Sequence, residues 1–126
     1  MEQEEINHYG TVLIVEDDDL LRLAASKALA KRGFSVIEAA DGMEAITLIG
    51  THPAHIDAVL LDMTVPGIPS RIVLKEAQRM RPGVRIIVTS AHTREKAGEV
   101  FPELRIDQFI RKPYHIADLA NILQRV

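Results

Sequence analysis

Residues 11–19 read TVLIVEDDD, an unbroken apolar run that ends in four carboxylates. A half-exposed strand would alternate apolar and polar residues, whereas an unbroken apolar run is typical of a central parallel strand covered by helices on both faces. The runs AVLL at 58–61 and VRIIVT at 84–89 have the same character. These three segments predict the middle of a parallel sheet.

Two more segments extend this series to five predicted strands. The strands start between 23 and 27 residues apart, which is the length of a strand, a crossover helix and two short loops. This spacing predicts an α/β domain with three layers, in which helices cover both faces of a doubly wound five-stranded parallel sheet. The predicted strands are Thr11–Val15, Phe34–Glu38, Ala58–Asp62, Arg85–Thr89 and Gln108–Arg111.

Residues that begin or end helices stand between the strands. Gly33 is expected to end the first helix in a left-handed conformation, and Asp41 with Glu44 resembles a capping box at the start of the second. Ser70 is expected to cap the third helix through its side chain. These signals predict a helix after each of the first three strands.

The other helices are predicted from periodicity. A short fourth helix, poor in apolar residues, is expected over 93–100, and a last helix is expected over Ile116–Val126. The first helix is expected to turn one apolar stripe toward the sheet, consisting of Leu20, Leu21, Leu23, Ala24, Ala28 and Leu29. Five helices would therefore alternate with the five strands.

Length and composition limit the classes of protein that fit. The 126 residues suffice for one domain, which we predict over 11–126, with residues 1–10 as a flexible tail or linker remnant. The net charge of -3 does not suggest a nucleic-acid or anionic membrane surface, and the lack of cysteine excludes thiol chemistry. No apolar run approaches a membrane span, so we predict a cytoplasmic protein.

Carboxylates follow two of the predicted strands. Glu16 and Asp17 come directly after the first strand, and Asp62 ends the third. The carboxyl ends of parallel strands meet at one edge of the sheet, where crowded carboxylates repel one another unless a cation joins them. Oxygen ligands of this kind suit Mg²⁺. For the acidic run taken alone, helix capping and solvent exposure explain the residues equally well.

Hydrogen-bond donors stand at the ends of the fourth and fifth predicted strands. Thr89 and Ser90 end the fourth strand, and Lys112 follows the fifth. At the same edge of the sheet, these groups could hold the oxygens of a transferred phosphoryl group and leave Asp62 free to attack phosphorus.

The ordered set of segments resembles the receiver domain of response regulators in two-component signalling, of the chemotaxis-receiver type, from Thr11 to Val126. VLIVEDDDLLR resembles the acidic-pair segment of that family, and DAVLLDMTVPG resembles its phosphoacceptor segment. IIVTSA and FIRKP resemble its hydroxyl and lysine-proline segments. The resemblance implies the flavodoxin-like strand order 2-1-3-4-5.

The resemblance also assigns the metal and phosphoryl sites, residue by residue. Asp62 matches the phosphoacceptor and is also a metal ligand. Asp17 matches the direct Mg²⁺ ligand, and Glu16 matches a residue that acts directly or through water. Thr64 matches the position whose backbone carbonyl completes the metal site. Lys112 matches the ammonium that binds a phosphoryl oxygen.

Two further positions match the conformational switch. Thr89 corresponds to the hydroxyl that closes on the phosphoryl group, and Phe109 corresponds to the aromatic residue that moves inward with it. A downstream protein is then expected on the face formed by the fourth helix, the fifth strand and the last helix. Pro69 and Ser70 depart from the family, in which an Asp-Gly pair is common, so the loop after Asp62 is expected to be stiffer.

The function implied is that of a phosphoacceptor in a bacterial phosphorelay, with a histidine kinase or phosphotransfer domain as its donor. Such a domain is not an enzyme with turnover, because it catalyses only its own modification. A stand-alone receiver and the C-terminal receiver of a hybrid sensor kinase both fit. The alternative is a receiver-like docking domain that is never phosphorylated. A Mg²⁺-dependent phosphohydrolase is disfavoured, because Thr64 stands where such enzymes carry a second Asp.

Overall fold

Five parallel strands form the central sheet of the protein. The computed structural model describes residues 9–52, 54–91 and 105–124. The strands are β1 (Thr11–Val15), β2 (Ser35–Ala39), β3 (Ala58–Asp62), β4 (Arg85–Ser90) and β5 (Gln108–Arg111). They lie in the order β2-β1-β3-β4-β5, which confirms the predicted flavodoxin-like order.

Four helices are present in the described part of the chain: α1 (Asp19–Lys31), α2 (Gly42–Thr51), α3 (Ser70–Met80) and α4 (Ile116–Gln124). The helix predicted over 93–100 lies outside the described residues, so the helix after β5 is α4 here. Residues 125–126, the predicted end of that helix, also lie outside them. Each helix within the described ranges is too short or too polar to cross a lipid bilayer.

The sheet separates two hydrophobic cores, because successive side chains of a strand point to opposite faces. On one face, Leu13, Val59 and Ile86 pack with buried residues of α2 and α3. On the other face, Ile14, Leu60 and Ile87 pack with buried residues of α1 and α4. Helices therefore cover both faces of the sheet, as the unbroken apolar runs predicted.

Strand β2 begins one residue later than predicted, at Ser35. The amide of Phe34 donates to the carbonyl oxygen of Leu29 at 3.1 Å, and that of Gly33, which has a φ of 100°, donates to Ala30 at 3.1 Å. These two bonds end α1 in a Schellman motif and confirm the left-handed Gly33. The Phe34 amide thus belongs to the helix end, and the ladder of β2 begins at Ser35, whose amide donates to the carbonyl oxygen of Gly10 at 2.9 Å.

The predicted stripe of α1 is wrong in part, because three of its six residues face the solvent and not the sheet. Leu20 is 80% exposed and Leu23 is 46% exposed, whereas Ala25 and Leu29 are buried. Leu21 and Ala28 are half-buried on the same side as Ala25 and Leu29, and Ala24 is exposed. The sequence DLLRLAASKALAK has apolar residues around most of the helix, so periodicity alone could not determine which side faces the sheet.

The prediction that Ser70 caps α3 is also wrong. The N-cap residue is Pro69, and no side chain caps this helix end. The buried Ser70 hydroxyl instead donates to the backbone carbonyl oxygens of Met63 at 2.9 Å and Asp62 at 3.2 Å. The hydroxyl therefore ties α3 to the end of β3 rather than to its own first turn.

The loop between β3 and α3 packs on the start of α2. The amide of Gly42 donates to the carbonyl oxygen of Pro66 at 3.0 Å. A Cβ atom at Gly42 would overlap the carbonyl oxygen of Ile68. The backbone contact thus requires glycine at position 42, and it holds the segment that follows Asp62.

We expect Gly42→Ala to lower the free energy of unfolding by about 1–3 kcal/mol, because the added methyl group would push the loop away from α2. Gly50→Ala in the same helix is the matched control, since a Cβ atom there meets nothing within 4 Å. This control should raise stability by up to about 1 kcal/mol. Urea unfolding followed by circular dichroism measures both, and equal stability of the two variants would contradict the close approach.

Candidate functional site

The acidic run after β1 divides into residues with different tasks. Asp18 is the N-cap of α1, and its carboxylate accepts a hydrogen bond from the Leu21 amide at 3.1 Å. Asp19 forms an ion pair with Arg22 at 2.7 Å. Glu16 is buried and Asp17 is exposed. Two of the four carboxylates thus serve α1, and two remain at the edge of the sheet.

Four polar side chains continue one row of the core at the carboxyl ends of the strands. Glu16, Asp62, Thr89 and Lys112 each come two residues after a residue of the core between the sheet and α1 and α4, namely Ile14, Leu60, Ile87 and Ile110. Residues two apart in a strand lie on the same face. The hydrogen bonds from Glu16 to Ala39 (3.0 Å) and from Lys112 to Ser90 (2.7 Å) continue the ladder past the strand ends. The sheet therefore brings these four residues to one edge.

The ammonium group of Lys112 bridges the two buried carboxylates. Its Nζ atom lies 2.7 Å from Asp62 Oδ2 and 2.9 Å from Glu16 Oε1. The other Asp62 oxygen, Oδ1, accepts hydrogen bonds of 3.0 Å from both the amide and the hydroxyl of Thr64. Both oxygens of Asp62 are therefore held by donors, and the carboxylate has one defined orientation.

The surroundings change the pKa values of the three charged groups in different ways. Burial raises the pKa of Asp62, but the hydrogen bonds from Lys112 and Thr64 outweigh burial and hold it below its ordinary value. Burial dominates at Glu16, so its pKa is raised despite the bonds from Lys112 and the Asp18 amide. For Lys112, the two carboxylates outweigh burial and raise the pKa. Asp62 is therefore ionised at neutral pH, and Lys112 is charged.

Three carboxylates converge closely enough to hold a metal ion. Oxygen atoms of Glu16, Asp17 and Asp62 all lie within 4.8 Å of one another, and the first and last of these residues are buried. A set of carboxylate oxygens with one exposed member fits a hard divalent cation such as Mg²⁺, which retains water ligands. The residues present therefore fit a magnesium ion.

The other predicted site residues lie beside this group. Thr89 is buried and is the register partner of Asp62 on β4, and its carbonyl oxygen accepts from the Met63 amide at 3.0 Å. Phe109 pairs with Val88 and packs partly buried against the core beneath α2 and α3. Phe109 therefore lies on the opposite face of the sheet from Lys112. It belongs to β5, the strand next to the one that carries Thr89.

Three residues near the site were not predicted to lie there from the sequence. Arg22 reaches the backbone of Glu16, Ser70 holds the end of β3, and the half-buried Tyr114 follows Lys112 by two residues. Burial and the charge of Glu16 raise the pKa of Tyr114. The position of Arg22 within an apolar run could have indicated that it has partners elsewhere in the fold, because a charge within a buried helix face needs them.

Fold and site together define the class of protein, which is a doubly wound α/β domain with a lysine-bridged acidic group at the carboxyl edge of its sheet. A sequence model described as the response regulator receiver domain matches residues 12–124. The chain therefore belongs to the receiver domain family of two-component signalling, as the motifs predicted.

Individual relatives agree with this family. The sensor kinase CckA of Brucella abortus is 29% identical over 117 residues, which cover 93% of this chain and 12% of that protein. The sporulation initiation phosphotransferase F of Bacillus subtilis is 25% identical over 114 residues, 90% of each chain. The solved receiver domain of the hybrid histidine kinase CckA has a TM-score of 0.77 and 31% identity, covering 92% of this chain and 97% of that one. The chain thus spans a small part of one relative and most of another.

We expect Lys112→Met to lower the free energy of unfolding at pH 7, in Mg²⁺-free buffer, by about 1–3 kcal/mol, because it leaves two buried carboxylates without their shared cation. Lys75→Met, at an exposed position of α3, is the control and should change stability little. Urea unfolding at several pH values measures the effect.

The sign of the pH dependence follows from the directions of the pKa shifts. In the wild type, the lowered pKa of Asp62 stabilises the fold above the ordinary carboxyl value, and this contribution is lost as the pH falls through the lowered value. In the variant, Asp62 loses the ammonium that lowers its pKa, and the already raised pKa of Glu16 rises further, so stability falls as the pH rises through these values. The difference between the two proteins should be largest near pH 7 and narrow toward pH 4. A constant difference would contradict the bridge.

Proposed function

We propose that the protein is a phosphoacceptor in a two-component phosphorelay, with Asp62 as the residue that takes the phosphoryl group. The observation that carries this proposal is the Asp62 carboxylate, which is 4% exposed yet ionised, between an acidic pair and the ammonium of Lys112. The donor is the phosphohistidine of a histidine kinase or a phosphotransfer domain.

The transfer forms one bond and breaks another. An Asp62 oxygen attacks phosphorus, the bond between phosphorus and the donor's imidazole nitrogen breaks, and that nitrogen recovers its electron pair. The lowered pKa of Asp62 keeps the nucleophile deprotonated at neutral pH. Lys112 already lies within hydrogen-bond distance of Asp62 and can follow the charge onto a phosphoryl oxygen.

The proposed Mg²⁺ ligands are Glu16, Asp17, Asp62 and the Thr64 carbonyl, with Glu16 acting directly or through water. When bound, the ion neutralises the charge of the phosphoryl oxygens. Support for the three side chains comes from their convergence within 4.8 Å, and the Thr64 amide and hydroxyl already contact Asp62.

The response to phosphorylation is proposed to pass through Thr89 and Phe109. Thr89 is adjacent to Asp62 on the neighbouring strand, and Phe109 lies on the strand after that. Closing of the Thr89 hydroxyl on the phosphoryl group would change the packing beside Phe109. A downstream protein would then bind the face that includes β5 and α4. The helix predicted over 93–100, which was expected to complete this face, lies outside the described residues.

The rest of the proposal concerns the whole protein. We propose a cytoplasmic module, with residues 1–10 as a tail or linker and 11–126 as the receiver domain, which catalyses only its own modification. The similarity to a sensor kinase and to a hybrid-kinase receiver supports a place in a hybrid kinase, whereas the similarity to phosphotransferase F supports a stand-alone receiver. The second candidate, a docking domain without phosphorylation, would have no use for the buried carboxylate–lysine bridge.

We expect one phosphoryl adduct after incubation with acetyl phosphate and Mg²⁺, and none from Asp62→Asn, because the amide cannot attack phosphorus. Intact-mass spectrometry measures the adduct, and a sample with EDTA is the control. If no adduct forms and Mg²⁺ does not bind in a titration, the docking function is favoured. If Mg²⁺ binds without an adduct, phosphotransfer from a phosphohistidine donor is the deciding assay.

A matched pair of variants in the acidic run tests the metal site. Asp17→Asn should abolish Mg²⁺-dependent phosphorylation, because it removes a converging carboxylate, while leaving the fold intact. Asp18→Asn removes the same charge one residue later but keeps an N-cap acceptor, so its phosphorylation should remain close to that of the wild type. Equal losses of phosphorylation in both variants would show that only the total charge of the acidic run matters.

A further inference from the structure

We propose that Arg22 is a positioning residue for the metal-binding end of β1, which it holds through the carbonyl oxygen of Glu16. The inference rests on the proposed function, because it assumes that Glu16 and Asp17 bind Mg²⁺. Arg22 touches neither the transferred group nor Asp62 in this role, and it acts only through the backbone from which the two ligands project.

The guanidinium group connects three segments of the chain. Nη1 donates to the Glu16 carbonyl oxygen at 2.8 Å, Nη2 contacts Asp19 Oδ1 at 2.7 Å, and Nε contacts Glu38 Oε1 at 3.2 Å. The side chain is only 17% exposed although it carries a charge. The end of β1, the first turn of α1 and strand β2 are thus joined by one planar group.

The bond to the Glu16 carbonyl restricts the backbone position of Asp17. A peptide unit is planar, so the orientation of the Glu16 carbonyl also sets the position of the Asp17 amide and Cα atom. Glu16 is also held through its own amide, which donates to the carbonyl oxygen of Ala39 at 3.0 Å. The Glu16 side chain accepts from the Asp18 amide at 3.1 Å. Arg22 therefore supplies the side-chain contact that completes this support.

Two cationic side chains near the site pair with different carboxylates. Lys112 contacts Glu16 and Asp62, which are proposed ligands, whereas Arg22 contacts Asp19 and Glu38, which are not. Arg22 thus pairs the carboxylates that surround the site, and it leaves the converging group available to a metal ion. A lysine at position 22 could not reproduce this arrangement, because one ammonium nitrogen cannot span three acceptors in a fork.

The competing explanation is that Arg22 only forms an ordinary ion pair on a helix, which contributes little to stability. The chain contains a matched example, since Arg79 pairs with Glu76 at the same spacing and the same distance of 2.7 Å. Arg79 is 67% exposed and lies on α3. Comparing the two arginines therefore separates the loss of an ion pair from the loss of the backbone contact.

The experiment uses the wild type, Arg22→Ala, Arg22→Lys and Arg79→Ala at a temperature at which urea unfolding shows all four to be folded. Calorimetric titration gives the Mg²⁺ dissociation constant, and intact mass gives the initial rate of acetyl phosphate labelling at increasing Mg²⁺. We expect Arg22→Ala to weaken Mg²⁺ binding about 10-fold or more, as for other residues that orient metal ligands. Labelling should recover toward the wild-type rate at saturating Mg²⁺, and Arg79→Ala should match the wild type.

Arg22→Lys decides between charge and geometry, and it replaces Arg22→Ala if that variant does not fold. Weakened Mg²⁺ binding in Arg22→Lys supports positioning, and wild-type affinity overturns it. Unchanged affinity in Arg22→Ala, or an equal loss in Arg79→Ala, also overturns the inference while leaving the proposed function in place. If the wild type itself binds no Mg²⁺ and forms no adduct, the proposed function fails, and this inference fails with it.

Discussion

The bridge that Lys112 makes between Glu16 and Asp62 is the interaction on which the rest of the site depends. Two buried carboxylates would repel each other, and burial alone favours their neutral forms. The ammonium at 2.7 and 2.9 Å makes an ionised Asp62 compatible with the interior of the protein. A buried ion pair of this kind is by itself weak evidence for stability.

The geometry of the parallel sheet brings the groups of this bridge together. Parallel strands place all their carboxyl ends at one edge, and the alternation of side chains turns every second residue to the same face. Glu16 follows β1 and Asp62 ends β3, and these are the neighbouring strands at which the chain order reverses. The apolar rows behind them are fully buried, so the polar row rests on a rigid base.

Backbone contacts outside the polar row support its two acidic segments. The loop after Asp62 is held by the Ser70 hydroxyl and by the amide of Gly42 at the start of α2. The segment after Glu16 is held by Arg22 and by the end of β2. The proposed binding of a metal ion and a phosphoryl group needs ligands with fixed directions, and these contacts restrict both segments.

The sequence by itself determined the class of fold and which charged side chains meet at the carboxyl edge of the sheet. Unbroken apolar runs required strands covered on both faces, their spacing required crossover helices, and the residues directly after those runs had to meet at one edge. Only the tertiary structure decided the orientation of α1, whose apolar residues surround the helix, and the use of the Ser70 hydroxyl, which bonds carbonyl oxygens of a distant segment instead of capping its own helix. It also decided the partners of Arg22, because the acceptors of a guanidinium lie on three segments that only folding brings together. Periodicity and local propensity describe neighbours along the chain, and these contacts join residues that are far apart in it.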